Sequence, residues 1–201
     1  MAHISTGISK LGGAAISVGL TPIETCRPGA PCCHDCYACK GRYRTRIVKQ
    51  NLKENTQEWH NDPVGFTDDI RKATILAKYF RWFHAGDIID KPFLGMMFDL
   101  AEEVGSTRFL AFSKKFELVN NYLAQRKRPQ NLVLALSAWG DDFIPENPHN
   151  LPMAYVRLPN KKCTIPSYAK ECNGSCSYCI FHLNGGCWDL KEGEAVVFNF
   201  H

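Results

Sequence analysis

The chain of 201 residues has no run of some eighteen consecutive apolar residues, which excludes a hydrophobic membrane-spanning helix. It has no internal repeat of solenoid period. Its first twenty residues, MAHISTGISKLGGAAISVGL, lack a positively charged start followed by a continuous apolar stretch, and so read poorly as a secretory signal. A large charge excess is also missing: 24 Lys and Arg stand against 20 Asp and Glu, a formal net charge of +4, which does not by itself point to nucleic acid. With 45% hydrophobic and 22% charged residues, the composition fits neither a disordered tail nor a coiled-coil rod. Two local absences say more. No cysteine occurs between Cys39 and Cys163, and no acidic residue between Asp35 and Glu54.

The ten cysteines therefore fall into two groups of five. Cys26, Cys32, Cys33, Cys36 and Cys39 lie near the start; Cys163, Cys172, Cys176, Cys179 and Cys187 lie near the end. Without an export signal the expected compartment is the reducing cytoplasm, where clustered cysteines hold metal more often than they form disulfides. The chain is also long enough to bury a core without disulfide staples. C-x3-C-x2-C occurs twice, as Cys32, Cys36, Cys39 and as Cys172, Cys176, Cys179. Zinc ribbons usually present paired C-x2-C knuckles, whereas a tight cysteine triplet suits an iron–sulfur cubane. Four thiolates close such a cluster, while three leave one iron open for a substrate or cofactor atom. The spacing selects Cys32, Cys36 and Cys39 for the first group, and Cys172, Cys176, Cys179 and Cys187 for the second, with Cys163 in reserve. His34, His182 and His201 are weaker candidates as ligands.

The middle of the chain alternates. Ala14–Leu20 reads as a short strand and Arg42–Trp59 as a helix, and Asp62-Pro63 starts another helix. Then come strand Phe80–Ala85, helix Pro92–Val104, strand Thr107–Phe112, helix Lys115–Arg126, and strands Asn131–Ala138, Met153–Leu158 and Ala195–Phe200. Such alternation predicts a parallel α/β sheet, either a partial (β/α) barrel or an open sheet, because too few strands are present to close eight. One domain is expected: 1–40 with the first cysteine group, 41–160 as the βα core, and 161–201 with the second group and the last strand.

Ligands in such sheets bind at the C-terminal ends of the strands. Gly86 and Asp87 end the first core strand, Lys114 the second, and Ser137 to Trp139 the third. C-x3-C-x2-C on a loop leading into a parallel α/β sheet is the arrangement of radical S-adenosylmethionine enzymes. Gly86, Asp87 and Lys114 are then the candidate cofactor-binding residues, Asp87 as acceptor for an amino group, and Trp139 could stack on an adenine. Asp87 serves equally well as a helix cap. Trp82 and Phe83 read as packing residues, and Trp188 as a shield for the second metal group. Lys40, Arg42, Arg44, Arg46, Lys49 and Lys53 form a basic stretch, either a solvated helix face or an anion site.

Several segments carry a family resemblance: STGISKLG, TCRPGAPC followed by CYACKG, FRWFHAGDI, TRFLAFSKKFELV, NLVLALSAW, and the closing CW and GEAVVFNFH. In that order they resemble the bacteriophage gene product 88 family, over essentially the whole chain. The resemblance implies a fold related to radical S-adenosylmethionine proteins, a host-cytoplasmic location, and no settled substrate. It aligns the family's first cysteines with Cys26, Cys32 and Cys36 and its last group with that ending in Cys187-Trp188, leaving Cys33 and Cys39 as extras. Spacing and resemblance agree on Cys32 and Cys36. The expectation is an iron–sulfur protein with one or two 4Fe-4S clusters and possible use of S-adenosylmethionine. The rivals are a zinc- or cluster-stapled protein gripping nucleic acid through Lys40–Lys53 and Arg126–Arg128, and a purely structural cluster shared by both groups.

Overall fold

The computed structural model describes residues 1–200. In chain order the strands are β1 (Ile4–Ser5), β2 (Ile16–Val18), β3 (Tyr79–Trp82), β4 (Arg108–Ser113), β5 (Leu132–Ser137), β6 (Met153–Arg157), β7 (Lys170–Glu171) and β8 (Ala195–Asn199). They form one sheet in the order β1-β2-β3-β4-β5-β6-β8-β7. Every pairing is parallel except β1 with β2. The ends do not meet, so the sheet is open. All six residues of β5 are buried, which accounts for its unbroken apolar sequence: a central parallel strand is covered on both faces.

The helices are α1 (Arg46–Asn61), α2 (Pro63–Ile75), α3 (Lys91–Glu103), α4 (Phe116–Leu123) and α5 (Cys176–His182). The starts of α2 and α3 are written in the sequence. Asp62 accepts the Gly65 N–H at 2.9 Å and Asp90 accepts the Phe93 N–H at 2.7 Å, each followed by a proline in the first turn. The cap of α3 is thus Asp90, and Asp87 is free for another role. The expected helix from Arg42 splits: Gly41–Arg44 is a single 3-10 turn, and α1 begins after Thr45.

Helices α1–α4 all pack on one face. Trp59, Phe66, Ile70, Phe93, Met97, Phe116 and Val119 meet Val18, Phe80, Trp82, Phe109, Leu132, Leu134 and Leu136. Each such side chain contributes about 1.5–3 kcal/mol of burial. The opposite face carries Tyr79, Leu110, Val133, Ala154 and Val196, and no long helix covers it. The N-terminal Leu11 and Ala15 and the C-terminal Ile180, Trp188 and Leu190 do so instead. Trp188 is fixed there by donating its indole N–H to the Phe80 carbonyl at 3.0 Å, with Tyr79 edge-on at 5.7 Å. The cysteine-rich C-terminus, α5 included, therefore serves as the lid of the face opposite α1–α4.

Candidate metal centre

The first cysteine group lies in the loop that leaves β2 and crosses the C-terminal rim of the sheet. Pro28, Gly29 and Pro31 keep it irregular, with one 3-10 turn at Pro31–Cys33 and another at Tyr37–Cys39. Two anchors hold it. On the β3 side, the phenols of Tyr37 and Tyr43 both donate to the His84 carbonyl, at 2.8 and 3.1 Å. On the β4 side, the Arg27 guanidinium binds Glu117 at 2.8 Å and lies 5.1 Å from the ring centres of both Phe116 and Phe143.

Between these anchors the thiols gather unevenly. None of the ten is cross-linked. Cys36, Cys26 and Cys32 each push the Tyr37 phenol upward, Cys33 and Cys32 push Cys26 upward, and Cys33 does the same to Cys32. Cys39 is exposed and neighbours Cys36. Burial pushes the Cys26 thiol up to about 12 and Cys36 to about 11, and it raises Cys32 as well, opposed there by the Lys114 ammonium. Among the described residues, no three Cys, His, Asp or Glu side chains are drawn together around a point that would hold one metal ion.

The rim residues expected from the strand ends lie as follows. Gly86 has φ +80°, and a Cβ there would meet Thr25 Oγ1 at 2.6 Å and the Leu20 carbonyl oxygen at 2.9 Å. Glycine at this position lets the cysteine loop pass against β3. Asp87 is buried: one oxygen accepts the Ser113 hydroxyl and the Ile88 N–H at 2.7 Å each, the other the Lys114 N–H at 2.8 Å. Its own N–H donates to Thr25 Oγ1 at 3.1 Å. Three of its roughly four acceptor positions are taken, so it ties β3, β4 and the cysteine loop together rather than presenting a free carboxylate. The Lys114 ammonium reaches Ser137 Oγ at 2.9 Å and stands 5.6 Å from the centre of the half-buried Trp139 ring. His84 is buried, shares a hydrogen bond at 3.0 Å between Nδ1 and Ser17 Oγ, and is pushed down to about 4 by burial and by the Arg81 charge.

The second group sits on the face opposite α1–α4. Ser175 caps α5 by accepting the Tyr178 N–H at 3.2 Å, which places Cys176 and Cys179 on its first turn. Cys172 follows β7, its N–H bound to the Val197 carbonyl at 2.9 Å, and Cys187 lies in a 3-10 turn beside Trp188. Gly186 allows that turn to approach, since a Cβ there would lie 2.5 Å from Cys179 Cβ. Cys172, Cys176 and Cys179 all act on Cys187, whose thiol burial pushes up to about 12. Cys163 stands apart on the loop after β6, its thiol directed to the Lys161 carbonyl at 3.6 Å.

His34 and His182 are exposed, and His201 lies outside the described residues. The two basic stretches differ. Arg126 is held by Asp99 and Glu102 at 2.6 and 2.7 Å, and Arg128 by Glu192 at 3.6 Å. Arg42, Arg44, Arg46, Lys49 and Lys53 are exposed and, among the described residues, have no carboxylate within ion-pair distance; in this stretch only Lys40 has one, Asp35 at 3.4 Å.

A family model described as gene product 88 matches residues 4–171. The chain belongs to the gene product 88 family. The matched span holds the first cysteine loop, the rim and Cys163, and ends one residue before Cys172, so the second group's tetrad lies beyond it. No curated protein and no solved structure matches. No helix among the described residues is long and apolar enough to cross a membrane. Family membership thus brings no assigned chemistry with it. Tyr37, Tyr43 and Arg81 were not singled out from the sequence. Arg81 had a signal, a lone charge inside the apolar strand FRWF. The two tyrosines had none, because only the folded loop brings them onto one carbonyl.

Proposed function

We propose that this member of the gene product 88 family is an iron–sulfur protein whose Cys26, Cys32 and Cys36 hold a 4Fe-4S cluster at the strand-end rim, and that it acts on S-adenosylmethionine. The carrying observation is that those three uncrosslinked thiols share one loop at the strand-end rim, tied to β3 through Tyr37 and to α4 through Arg27. The donor set is all thiol, which suits iron–sulfur chemistry, and three ligands leave one iron open. Cys26, Cys32 and Cys36 would hold such a cluster, which would supply one-electron reducing chemistry toward the sulfonium of S-adenosylmethionine.

The protein's part is placement. Tyr37 and Tyr43 fix the loop on His84, and Asp87 fixes the rim beneath it. Lys114 offers a cation to a carboxylate or phosphate, and Trp139 a face to an adenine ring. Asp87, with its oxygens committed to Ser113, Ile88 and Lys114, acts as a positioning residue and leaves an incoming amino group to other acceptors. The second group, Cys172, Cys176, Cys179 and Cys187, offers four thiolates and so a closed metal site. Cys33, Cys39 and Cys163 are spare thiols on this reading.

The test is anaerobic reconstitution with iron and sulfide, followed by strong reductant and S-adenosylmethionine. 5′-Deoxyadenosine is expected from the wild type and not from Cys36→Ala. An iron-loaded protein that forms none overturns the enzyme reading.

A second reading is favoured by one observation, the unpaired cations from Arg42 to Lys53 beside the cysteine loop. On it the protein binds a nucleic-acid backbone, and a zinc or cluster staple merely holds the loop. The paired state of Arg126 and Arg128 removes them from that surface.

A further inference from the structure

The rim opposite the cysteine loop, where β4 and β5 begin, opens into a cavity of about 590 Å³. Its walls are the turn after α3 at Gly105 and Ser106, the segment before β5, and the stretch 189–192 that leads toward β8. These walls are tied to one another. Asn131 Nδ2 donates to the carbonyls of Ala101 and Thr107 at 2.8 and 2.9 Å, and Arg108 binds Asp189 at 2.9 Å.

Charge is unevenly satisfied there. Arg108, Arg128 and Lys191 face only two carboxylates, Asp189 and Glu192, which leaves the lining net positive. Asp189 is shared, 2.9 Å from Arg108 and 3.7 Å from Lys191. Arg128 is the most enclosed of the three cations, its side chain 17% exposed, and its Nη1 is committed to the Leu132 carbonyl. Its Nη2 has Glu192 at 3.6 Å, and that carboxylate is 63% exposed. A guanidinium in a charge-assisted hydrogen bond stands closer to its oxyanion, at about 2.7–2.9 Å. The Arg128 fork is therefore fixed by one arm, while the other has a distant and loosely held partner.

The lining selects the ligand. An apolar molecule would strip water from guanidinium, ammonium, hydroxyl and amide groups and return no hydrogen bond. A carboxylate would compete with Glu192 on equal terms for the free arm, and would bear an association cost that a residue of the same chain does not. A phosphate monoester carries a charge of about −1.5 to −2 and three acceptor oxygens, so it can displace Glu192 toward solvent and engage a second donor. The volume falls within the range of about 300–1,000 Å³ typical of small-molecule sites, which leaves room for the molecule that bears the phosphate.

We propose that this cavity binds a small phosphorylated molecule of sugar-phosphate or nucleoside-monophosphate size, with Arg128 holding the phosphate and Glu192 as the internal carboxylate it displaces. The site involves neither cysteine group and is independent of S-adenosylmethionine chemistry.

The test is isothermal titration calorimetry of the full chain at low salt, with ribose 5-phosphate, adenosine 5′-monophosphate, inorganic phosphate and acetate as probes. Saturable binding of at least one ester is expected, tighter than that of inorganic phosphate, with none of acetate. Whichever ester binds more tightly names the source of the phosphate. Arg128→Gln is expected to weaken binding by about tenfold or more. Glu192→Gln is expected to tighten it by about threefold, the worth of an exposed ion pair, a gain that a merely structural role would not produce. Far-UV circular dichroism confirms folding, and if Arg128→Gln does not fold, the exposed Glu192→Gln decides alone. No saturable heat from either ester overturns the proposal, as does an affinity that neither variant changes. Inorganic phosphate or acetate bound as tightly as the esters shows an adventitious ion only and overturns it too.

Discussion

The Ser113 hydroxyl donates to the Asp87 side chain at 2.7 Å, a contact that helps join the loop after β3 to the end of β4 beneath the cysteine loop. The same carboxylate holds the Lys114 N–H, and the Asp87 N–H holds Thr25, the residue before Cys26. A group foreseen as a ligand-binding carboxylate is therefore the knot that places the loop. Asp87→Ala is expected to cost about 2–3 kcal/mol, since it leaves the Ser113 hydroxyl and the Ile88 and Lys114 N–H groups without their buried acceptor. For a chain of this size that lowers Tm by about 5–10 °C. Calorimetry checks it, and an unchanged melting curve would show that the rim does not depend on Asp87.

His84 makes stability depend on pH. Its ordinary value is 6.5 and its folded value about 4, because burial and the Arg81 charge disfavour the imidazolium. Above 6.5 both folded and unfolded chains are neutral at this site and it contributes nothing. As pH falls from 6.5 towards 4, the unfolded chain takes up a proton that the folded chain refuses, so stability is lost, by about 3 kcal/mol at the lower end. His84→Asn keeps a donor for Ser17 without a titrating ring. Urea denaturation at a series of pH values is expected to show a flatter profile for this variant between 4 and 6.5. Parallel profiles would refute the assignment.

The cysteines should separate by function. Cys26→Ser, Cys32→Ser and Cys36→Ser are each expected to lose the iron held by the first group, whereas Cys39→Ser and Cys163→Ser retain it. Iron and labile-sulfide analysis of anaerobically purified variants reads this. Retention by Cys26→Ser together with loss by Cys39→Ser would restore the triplet Cys32, Cys36, Cys39 that spacing alone selects.

Metal loading should release protons. Burial holds the Cys26, Cys36 and Cys187 thiols well above neutrality in the bare chain, so a metal must displace their protons on binding. Apparent affinity is expected to rise with pH across 6–8, and metal addition in weak buffer to acidify the solution. A pH-independent affinity would place the metal on other ligands.

The unpaired cations from Arg42 to Lys53 give the binding reading its own test. Arg46→Glu with Lys49→Glu should abolish any binding of a short single-stranded oligonucleotide at low salt, and wild-type affinity should fall linearly with log salt. Fluorescence anisotropy measures both. Equal binding by wild type and variant removes this surface from consideration.

Much of the fold was legible because its signals are local. Asp62-Pro63 caps α2, the unbroken apolar run of β5 marks a central strand, and the helix periods alternate with strands. Two-residue β1 and β7 carry no such pattern and exist only through their neighbours. The position of the second cysteine group, covering the face opposite α1–α4, depends on Trp188 finding the Phe80 carbonyl, a contact between residues 108 apart in sequence. For the site, the strand-end rule located Gly86, Asp87 and Lys114 correctly on the rim. It could not tell a free carboxylate from one already bound by Ser113 and two backbone N–H groups.

The central claim, that the first cysteine group holds an iron–sulfur cluster, is tested most directly by iron, zinc and labile-sulfide analysis with electron paramagnetic resonance on protein purified without oxygen. The expected result is a brown protein with matching iron and sulfide and a signal on one-electron reduction that Cys32→Ser removes. A colourless protein with stoichiometric zinc and no labile sulfide would contradict it.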